Sequence, residues 1–487
     1  MATTAIAIGN DRTSVFPSAA LPCFVAALLY VVVLAVGANL LNDPDTYWHL
    51  VVGQWIIDNG FPHADPFSFT FNGQSWIAKE WLAQVAYLGA FRVAGWPGMV
   101  VLAAAAIATA FGVLTRFLEA KLAPLPTIAF VAVAFMLAAP HALARPHALA
   151  LPVMVLWVGG LVAAADKGKA PSYFLLPLMV LWANLHAGFT FGIFMVGAVG
   201  LDAIAAAERE DRWRVATVWV RFGLLALIAG CITPYGPWSM LATWQVLSVG
   251  PALATIGEWM PANFGQVGPL ELTLLIGAGL ALLRGFTLPW PRVLILLGLV
   301  HMALSADRNA EMLGLLAPLF LAAPLVRQVP ELAGHGAASA RAERFAGVAL
   351  AFLFPITAGL ANLGHYEPNP RITPAAAVHA LKEAHADRVY NEYSFGGYMV
   401  FAGMPTFIDG RTELFGGQFL ARQENELRLN DPDGFLKTLD DYSIGATLLA
   451  PDTPAVALLD HLPGWKRLYA DATAVVHIRL PLRTTLP

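Results

Sequence analysis

Over its first three quarters the chain alternates long apolar runs with short polar stretches, and after residue 364 that rhythm changes. A helix needs about 20 predominantly apolar residues to cross a bilayer. Runs near 20–41, 97–116, 125–139, 147–165, 172–184, 187–206, 215–232, 269–283, 290–305, 310–326 and 345–363 meet or approach that length. Those near 125, 172 and 269 are short, so their ends are soft and one of them is open to a re-entrant course. The pattern predicts a polytopic α-helical membrane protein, with about 11 transmembrane helices over residues 1–364. Beyond 365 the apolar runs shorten to four to six residues and charges return, which predicts a separate α/β domain over 365–487.

Between the first two runs, residues 42–96 form a loop predicted to carry two helices lying on the membrane surface. Asp45 and Thr46 can cap the first, starting at Tyr47, with Leu50, Val51, Ile56 and Ile57 in a roughly helical rhythm. Tyr47, Trp48 and Trp55 suit interfacial anchoring. The second is expected over 75–93, after a turn punctuated by Pro62, Pro66 and Gly73. In the C-terminal region a helix is expected over 374–386, strands at 388–390, 406–408, 447–450 and 474–478, and helices at 432–441 and 453–460. Segments 391–398 and 409–413 each follow a strand, so both are expected to crown the ligand edge of an open sheet.

Composition agrees with the pattern. Hydrophobic residues make up 57% of the chain, charged residues 13%, and mean hydropathy is +0.62, against roughly 25% charged in soluble domains. The net charge of −4 and the lack of any basic run exclude a nucleic-acid partner. Cys23 and Cys231 lie in apolar runs, so neither a disulfide nor thiol chemistry is expected. The N-terminal stretch has one Arg and no small-residue cleavage site, unlike a cleaved signal peptide. With eleven spans, fourteen Lys and Arg fall on one side and four on the other before residue 364. The positive side is cytoplasmic. The N-terminus is therefore expected in the cytoplasm, with the first loop and the C-terminal domain outside it.

The candidate chemistry gathers at that outer boundary. Asp43-Pro44-Asp45 sets two carboxylates two positions apart around a residue of fixed φ, a plausible general base or metal site. His49, Asp65 and Glu80 follow in the same loop; Arg145, His147, Asn184, His186, Tyr235, Glu258, Arg308 and Asn309 map to the same level from other loops. Polar groups gathered from six loops at one membrane face predict a cavity there. Arg145 and Arg308 either snorkel or clamp a phosphate, which the guanidinium fork suits. Glu258 stands alone in an apolar, aromatic loop with no Lys or Arg, so it is expected to fold back as a metal ligand or substrate contact.

With these residues in view, the chain resembles the GT-C superfamily, integral-membrane glycosyltransferases that take sugars from polyprenyl-linked donors. Asp43-Pro-Asp45-Thr-Tyr-Trp-His49-Leu50 looks like the first-loop acidic motif in which that family keeps its catalytic aspartate. Thr255-Ile-Gly-Glu258 is similar to the Thr-Ile-x-Glu segment of bacterial oligosaccharyltransferase catalytic subunits. Residues 391–398 sit where those subunits carry Trp-Trp-Asp-Tyr-Gly, but the Trp-Trp-Asp is missing, and Ala-Arg145-Pro-His147 replaces their second Asp-x-Asp pair. The resemblance therefore implies the polyprenyl-monophosphate-sugar branch, which works without metal. A Mg or Mn ion held by Asp45 and Glu258 is the alternative.

What the resemblance implies is inverting transfer to an acceptor hydroxyl, with Asp45, or Asp43, as base. The phosphate and substrate would be held by Arg145, His147, Arg308, His49, Asp65, Glu80, His186 and Tyr235. The expected partners are the polyprenyl-phosphate-sugar donor, membrane lipids and an acceptor that is protein, lipid or polysaccharide. The expected setting is a bacterial inner membrane with a periplasmic C-terminal domain. A ligase of pre-assembled lipid-linked glycan and a lipid or polysaccharide transporter are the competing functions. No internal repeat favours the transporter.

Overall fold

The apolar runs become helices because a helix satisfies every backbone group within the segment, and charges inside them, such as Asp202 and Arg292, pair with each other. The computed structural model describes residues 20–248, 259–334, 352–353 and 355–480. In order these give α1 (Ala20–Ala35), α2 (Asp45–Asn59), α3 (Trp81–Glu119), α4 (Pro124–Ala138), α5 (Pro146–Asp166) and α6 (Leu176–Leu185). They continue with α7 (Phe189–Ala206), α8 (Arg212–Gly230), α9 (Trp238–Ser248), α10 (Pro269–Arg284), α11 (Trp290–Ser305) and α12 (Ala310–Gln328). Among the described residues six helices are long and apolar enough to cross a membrane: α3, α4 with its following turn to His141, α5, α7, α8, and α12 with its leading turn from Asp307. Three of the other expected spans become the shorter apolar helices α1, α11 and α6 with its leading turn from Tyr173. The run near 269 becomes α10, of 16 residues. Part of the run near 345–363, and Glu258, lie outside the described residues. The bundle core is built on α3, which packs against α1, α4 and α5; α7 pairs with α8, and α12 with α4 and α11.

The first loop departs from expectation. Helix α2 starts at Asp45, and its entry is capped from Asp43, whose Oδ1 accepts the Asp45 N–H at 2.7 Å; neither Asp45 nor Thr46 serves as the cap. The helix packs against protein on the face that carries its aromatic residues. Tyr47, Trp48, Leu50 and Val52 are buried between α3 and the helix Tyr393–Phe401 of the C-terminal region. Tyr47 makes edge contacts with Trp96 and Tyr398 at centroid separations of 5.5 and 5.1 Å. Rings that suit an interface suit a protein core equally well, and here the core takes Tyr47 and Trp48. The second loop helix begins at Trp81 rather than Ser75 and runs on through a kink at Ala94 and Gly95 into the next span. Gly95 takes φ +61°, a conformation glycine adopts without strain.

In the C-terminal region a four-stranded sheet has the order β1-β2-β4-β3, with β1 (Val389–Asn391), β2 (Ala446–Leu449), β3 (Trp465–Ala470) and β4 (Val475–Arg479). β1 and β2 are parallel; β4 runs antiparallel to both β2 and β3. Strand β3 and the helix Thr412–Leu427 are additions to the sequence expectation. Residues 406–408 are not a strand of the sheet. Asn391 takes their place in the hydrogen-bond ledger: its Oδ1 accepts the Phe407 N–H and its Nδ2 donates to the Ile408 carbonyl, both at 2.8 Å. Thr406 pairs instead with Phe67 and Phe69 of the first loop. Phe69 and Phe71 extend the C-terminal apolar core of Tyr390, Phe407, Ile408, Phe415 and Phe435. The first loop and the sheet unit therefore share packing.

Candidate active site

A cavity of about 1470 Å³ opens where α2, the N-terminal ends of α5 and α12 and the C-terminal ends of β1 and β2 converge. Its wall carries Asp43, Asp45, His49, Lys79, Glu80, Arg145, His147, His186, Arg308 and Glu311, with Leu151, Met154, Phe191, Phe194 and Met302 on the bundle side. Glu392, Tyr393, Gly410 and Glu413 line it from the C-terminal region.

Asp43 and Asp45 hold one guanidinium between them. Arg145 Nη1 lies 2.8 Å from Asp43 Oδ2, and Nη2 lies 2.8 Å from Asp45 Oδ2. Arg145 is aimed by its place as N-cap residue of α5, before Pro146, and Tyr87 Oη donates to its carbonyl at 3.0 Å. The other Asp45 oxygen, Oδ1, accepts the Trp48 indole N–H at 3.0 Å. Both Asp45 oxygens and both Asp43 oxygens are thus engaged, so a divalent cation would have to displace the guanidinium, and the residues do not fit an ion between the two carboxylates. No group of three or more His, Cys, Asp or Glu among the described residues is arranged to hold a metal. Glu258, the other expected ligand, lies outside the described residues.

Around this centre the titratable groups are buried and paired. His49 is held neutral by burial and then by Arg145 and Lys79, well below the usual imidazole range; its Nδ1 meets Gln84 Nε2 at 3.2 Å. Burial, then Arg308, Arg145 and Lys79, push His186 down to about 3. Its Nδ1 accepts the Gly188 N–H at 3.1 Å, so in the neutral ring Nε2 carries the proton, 3.5 Å from Glu80 Oε1. Burial raises the Glu80 carboxyl, with Lys79 opposing. Lys79 Nζ lies 2.5 Å from Glu413 Oε1. Burial works against both charges of that pair, but the neighbours together outweigh it: Glu413 with Glu80 holds Lys79 above its usual value, and Lys79 with hydrogen bonds including that of Trp76 holds Glu413 below its own. His147 Nε2 sits 3.9 Å from Glu311 and 3.2 Å from the His141 carbonyl. Arg308 lies over the Trp259 ring, 4.9 Å from its centroid.

Two expected residues do not line the cavity. Asp65 is buried under Arg411, with Nη1 at 2.5 Å, and accepts the Phe67 N–H at 2.8 Å. Tyr235 Oη accepts the Ala78 N–H at 3.2 Å, its ring packs against Phe61 and His63, and burial raises its hydroxyl to about 12. Asn184 likewise serves packing, accepting the Trp81 indole N–H at 2.6 Å. Lys79 and Glu311 are wall residues that the sequence reading did not assign, whereas Glu413 belongs to the segment 409–413 expected at the ligand edge. Glu311 had a legible signal, a lone acid in the first turn of an apolar span.

No protein-family model matches the chain, and no curated protein does. Among solved structures it is similar to the archaeal oligosaccharyltransferase AglB from Archaeoglobus fulgidus in complex with an inhibitory peptide and a dolichol-phosphate. That match has 12% identity and a TM-score of 0.51, covering 87% of this chain and 69% of that one. A second match is ArnT from Cupriavidus metallidurans bound to undecaprenyl phosphate, at 13% identity and a TM-score of 0.47, covering 93% and 97%. At 12% identity the likeness to the archaeal oligosaccharyltransferase is one of fold alone.

Proposed function

We propose that this chain transfers a sugar from a polyprenyl-phosphate donor to an acceptor hydroxyl, with inversion, at the periplasmic face of a bacterial inner membrane. In this reading eleven spans place the N-terminus in the cytoplasm and residues 365–487 in the periplasm. The observation that carries it is the Asp43–Arg145–Asp45 group, set in the wall of a cavity lined also by Lys79 and Arg308 and by apolar side chains of the helices. Asp45 takes the proton of the acceptor hydroxyl. The freed oxygen attacks the anomeric carbon from the face opposite the phosphate, the carbon–oxygen bond to the phosphate breaks, and polyprenyl phosphate leaves. Charge grows on that phosphate as it departs, and Arg308 and His147 stand at the same cavity to stabilise it. The apolar side chains Leu151, Met154, Phe191, Phe194 and Met302 receive the first isoprene units.

No step uses a metal, because Arg145 stands between the carboxylates that would hold one. The test supplies a panel of synthetic polyprenyl-phosphate hexoses and pentoses to membranes containing the full chain and follows sugar transfer. Transfer that Asp45→Asn abolishes in a protein of unchanged stability supports the assignment. Transfer unchanged in both Asp43→Asn and Asp45→Asn removes these residues from the mechanism, and movement of lipid without transfer makes the protein a transporter.

A further inference from the structure

The segments 391–398 and 409–413 each bring a glycine to the start of α2. A Cβ on Gly410 would stand 1.8 Å from Asp45 Oδ1 and 2.8 Å from Trp48 Nε1. A Cβ on Gly397 would stand 2.1 Å from the Pro44 carbonyl oxygen. No side chain fits at either place, so the backbone of the C-terminal region is in direct contact with the turn that carries the two acids. The next residue, Arg411, fixes where Gly410 stands. Its Nε and Nη2 bond Asp409 at 2.7 and 2.6 Å, its Nη1 bonds Asp65 of the first loop at 2.5 Å, and all three side chains are buried. Trp76, also of the first loop, stacks on the same guanidinium, 4.8 Å from its carbon.

We propose that the C-terminal region is the positioning element for Asp45. Gly410 holds the carboxylate in the rotamer that meets Trp48 and Arg145, Gly397 holds the Pro44 backbone that precedes it, and Arg411, clamped to Asp65, sets the height of Gly410 above the carboxylate. This rests on the reading of the cavity as a transfer site only for its consequence. The geometry it asserts can be measured without any substrate. In consequence the C-terminal region is part of the catalytic centre rather than an appended reader of acceptors. That accounts for two glycine-bearing segments that match no nucleotide-binding fingerprint.

The experiment is ¹⁹F NMR of the full-length protein in nanodiscs, labelled with 5-fluorotryptophan. Trp48→Phe identifies the Trp48 resonance, and Asp45→Ala gives its position when the indole loses its acceptor. Gly410→Ala is expected to move the resonance towards the Asp45→Ala position, while Gly89→Ala, whose Cβ meets nothing within 4 Å, leaves it in place. A Trp48 resonance at its wild-type position in folded Gly410→Ala overturns the proposal. If that variant does not fold, Arg411→Lys is read in the same way, since it keeps the charge between Asp65 and Asp409 but loses the fork. With an active donor in hand, Gly410→Ala is expected to lower kcat about 100-fold with KM for the donor unchanged, the usual consequence of a group displaced by an ångström. A loss confined to KM overturns the positioning role. If the resonance moves but no donor is ever turned over, the positioning stands and the transfer reading falls.

Discussion

Arg145 meets Asp45 at 2.8 Å with one guanidinium nitrogen while the other nitrogen meets Asp43 at the same distance. The cation therefore occupies the place between two acids where a metal-dependent enzyme would hold its ion, and it offsets the repulsion of a like-charge pair. Wild-type transfer should be indifferent to EDTA. In Arg145→Ala the two carboxylates face an empty space the size of a cation, and transfer should fall at least about 100-fold. Mg²⁺ or Mn²⁺ at millimolar concentration should then restore part of it in the variant alone. Transfer assays with and without chelator decide this, and an EDTA-sensitive wild type would sink the argument.

The Arg411–Asp65–Asp409 group makes a separate stability prediction. Side chains with exposures of 1% and 0% are cut off from water, and removing the cation strands two carboxylates there. Breaking a buried ion pair of this kind costs about 3–5 kcal/mol. Arg411→Ala should lower unfolding stability in detergent by that amount, and Arg411→Lys by less. Equilibrium unfolding followed by tryptophan fluorescence measures both. A change below about 1 kcal/mol in Arg411→Ala would place the triad among ion pairs of no net value.

His186 predicts the direction of pH dependence. Its folded value is held near 3, far below the ordinary value near 6.5, by burial and by Arg308, Arg145 and Lys79. The unfolded chain therefore binds this proton more readily, so stability rises with pH through that window. The contribution is complete above about pH 6.5 and is lost progressively as pH falls towards 3. Glu80, shifted upward, acts in the opposite sense over its own window. The informative measurement is therefore the difference between wild type and His186→Gln. The melting temperature of the wild type should fall more steeply than that of the variant between pH 6.5 and 4; parallel profiles would rule out a buried neutral imidazole.

What the sequence made legible follows from the range of the interactions. The spans are periodic over about 20 residues, and nine of the eleven runs reappear among the full-length and shorter apolar helices. The acids at 43 and 45, being two positions apart, declared themselves locally. The burial of α2 was hidden because lipid tails are as apolar as a leucine core, so composition does not distinguish the two surroundings. Contacts across the chain were hidden altogether. Arg411 and Asp65 are separated by 346 positions, and Lys79 and Glu413 by 334. Residues 406–408 look like a strand by residue type and fail to join the sheet because a single side chain, Asn391, takes up the backbone groups of Phe407 and Ile408.

Arg308 lies over Trp259 in the wall of the cavity, with its guanidinium carbon 4.9 Å from the ring centroid, and a guanidinium there suits a phosphate. Hydrogen bonds to a charged group contribute about 1.5–3 kcal/mol, which is roughly a ten- to hundredfold change in affinity. Arg308→Ala should weaken the binding of undecaprenyl phosphate by that factor. Arg308→Lys should recover part of it, since a point charge still attracts phosphate while the fork is lost. Native mass spectrometry of each variant with added undecaprenyl phosphate reads the affinity directly, against decaprenol of the same tail chemistry but no phosphate. If Arg308→Ala weakens both lipids equally, the residue is bracing the cavity rather than holding the headgroup; selective loss of the phosphorylated lipid puts the guanidinium on the phosphate.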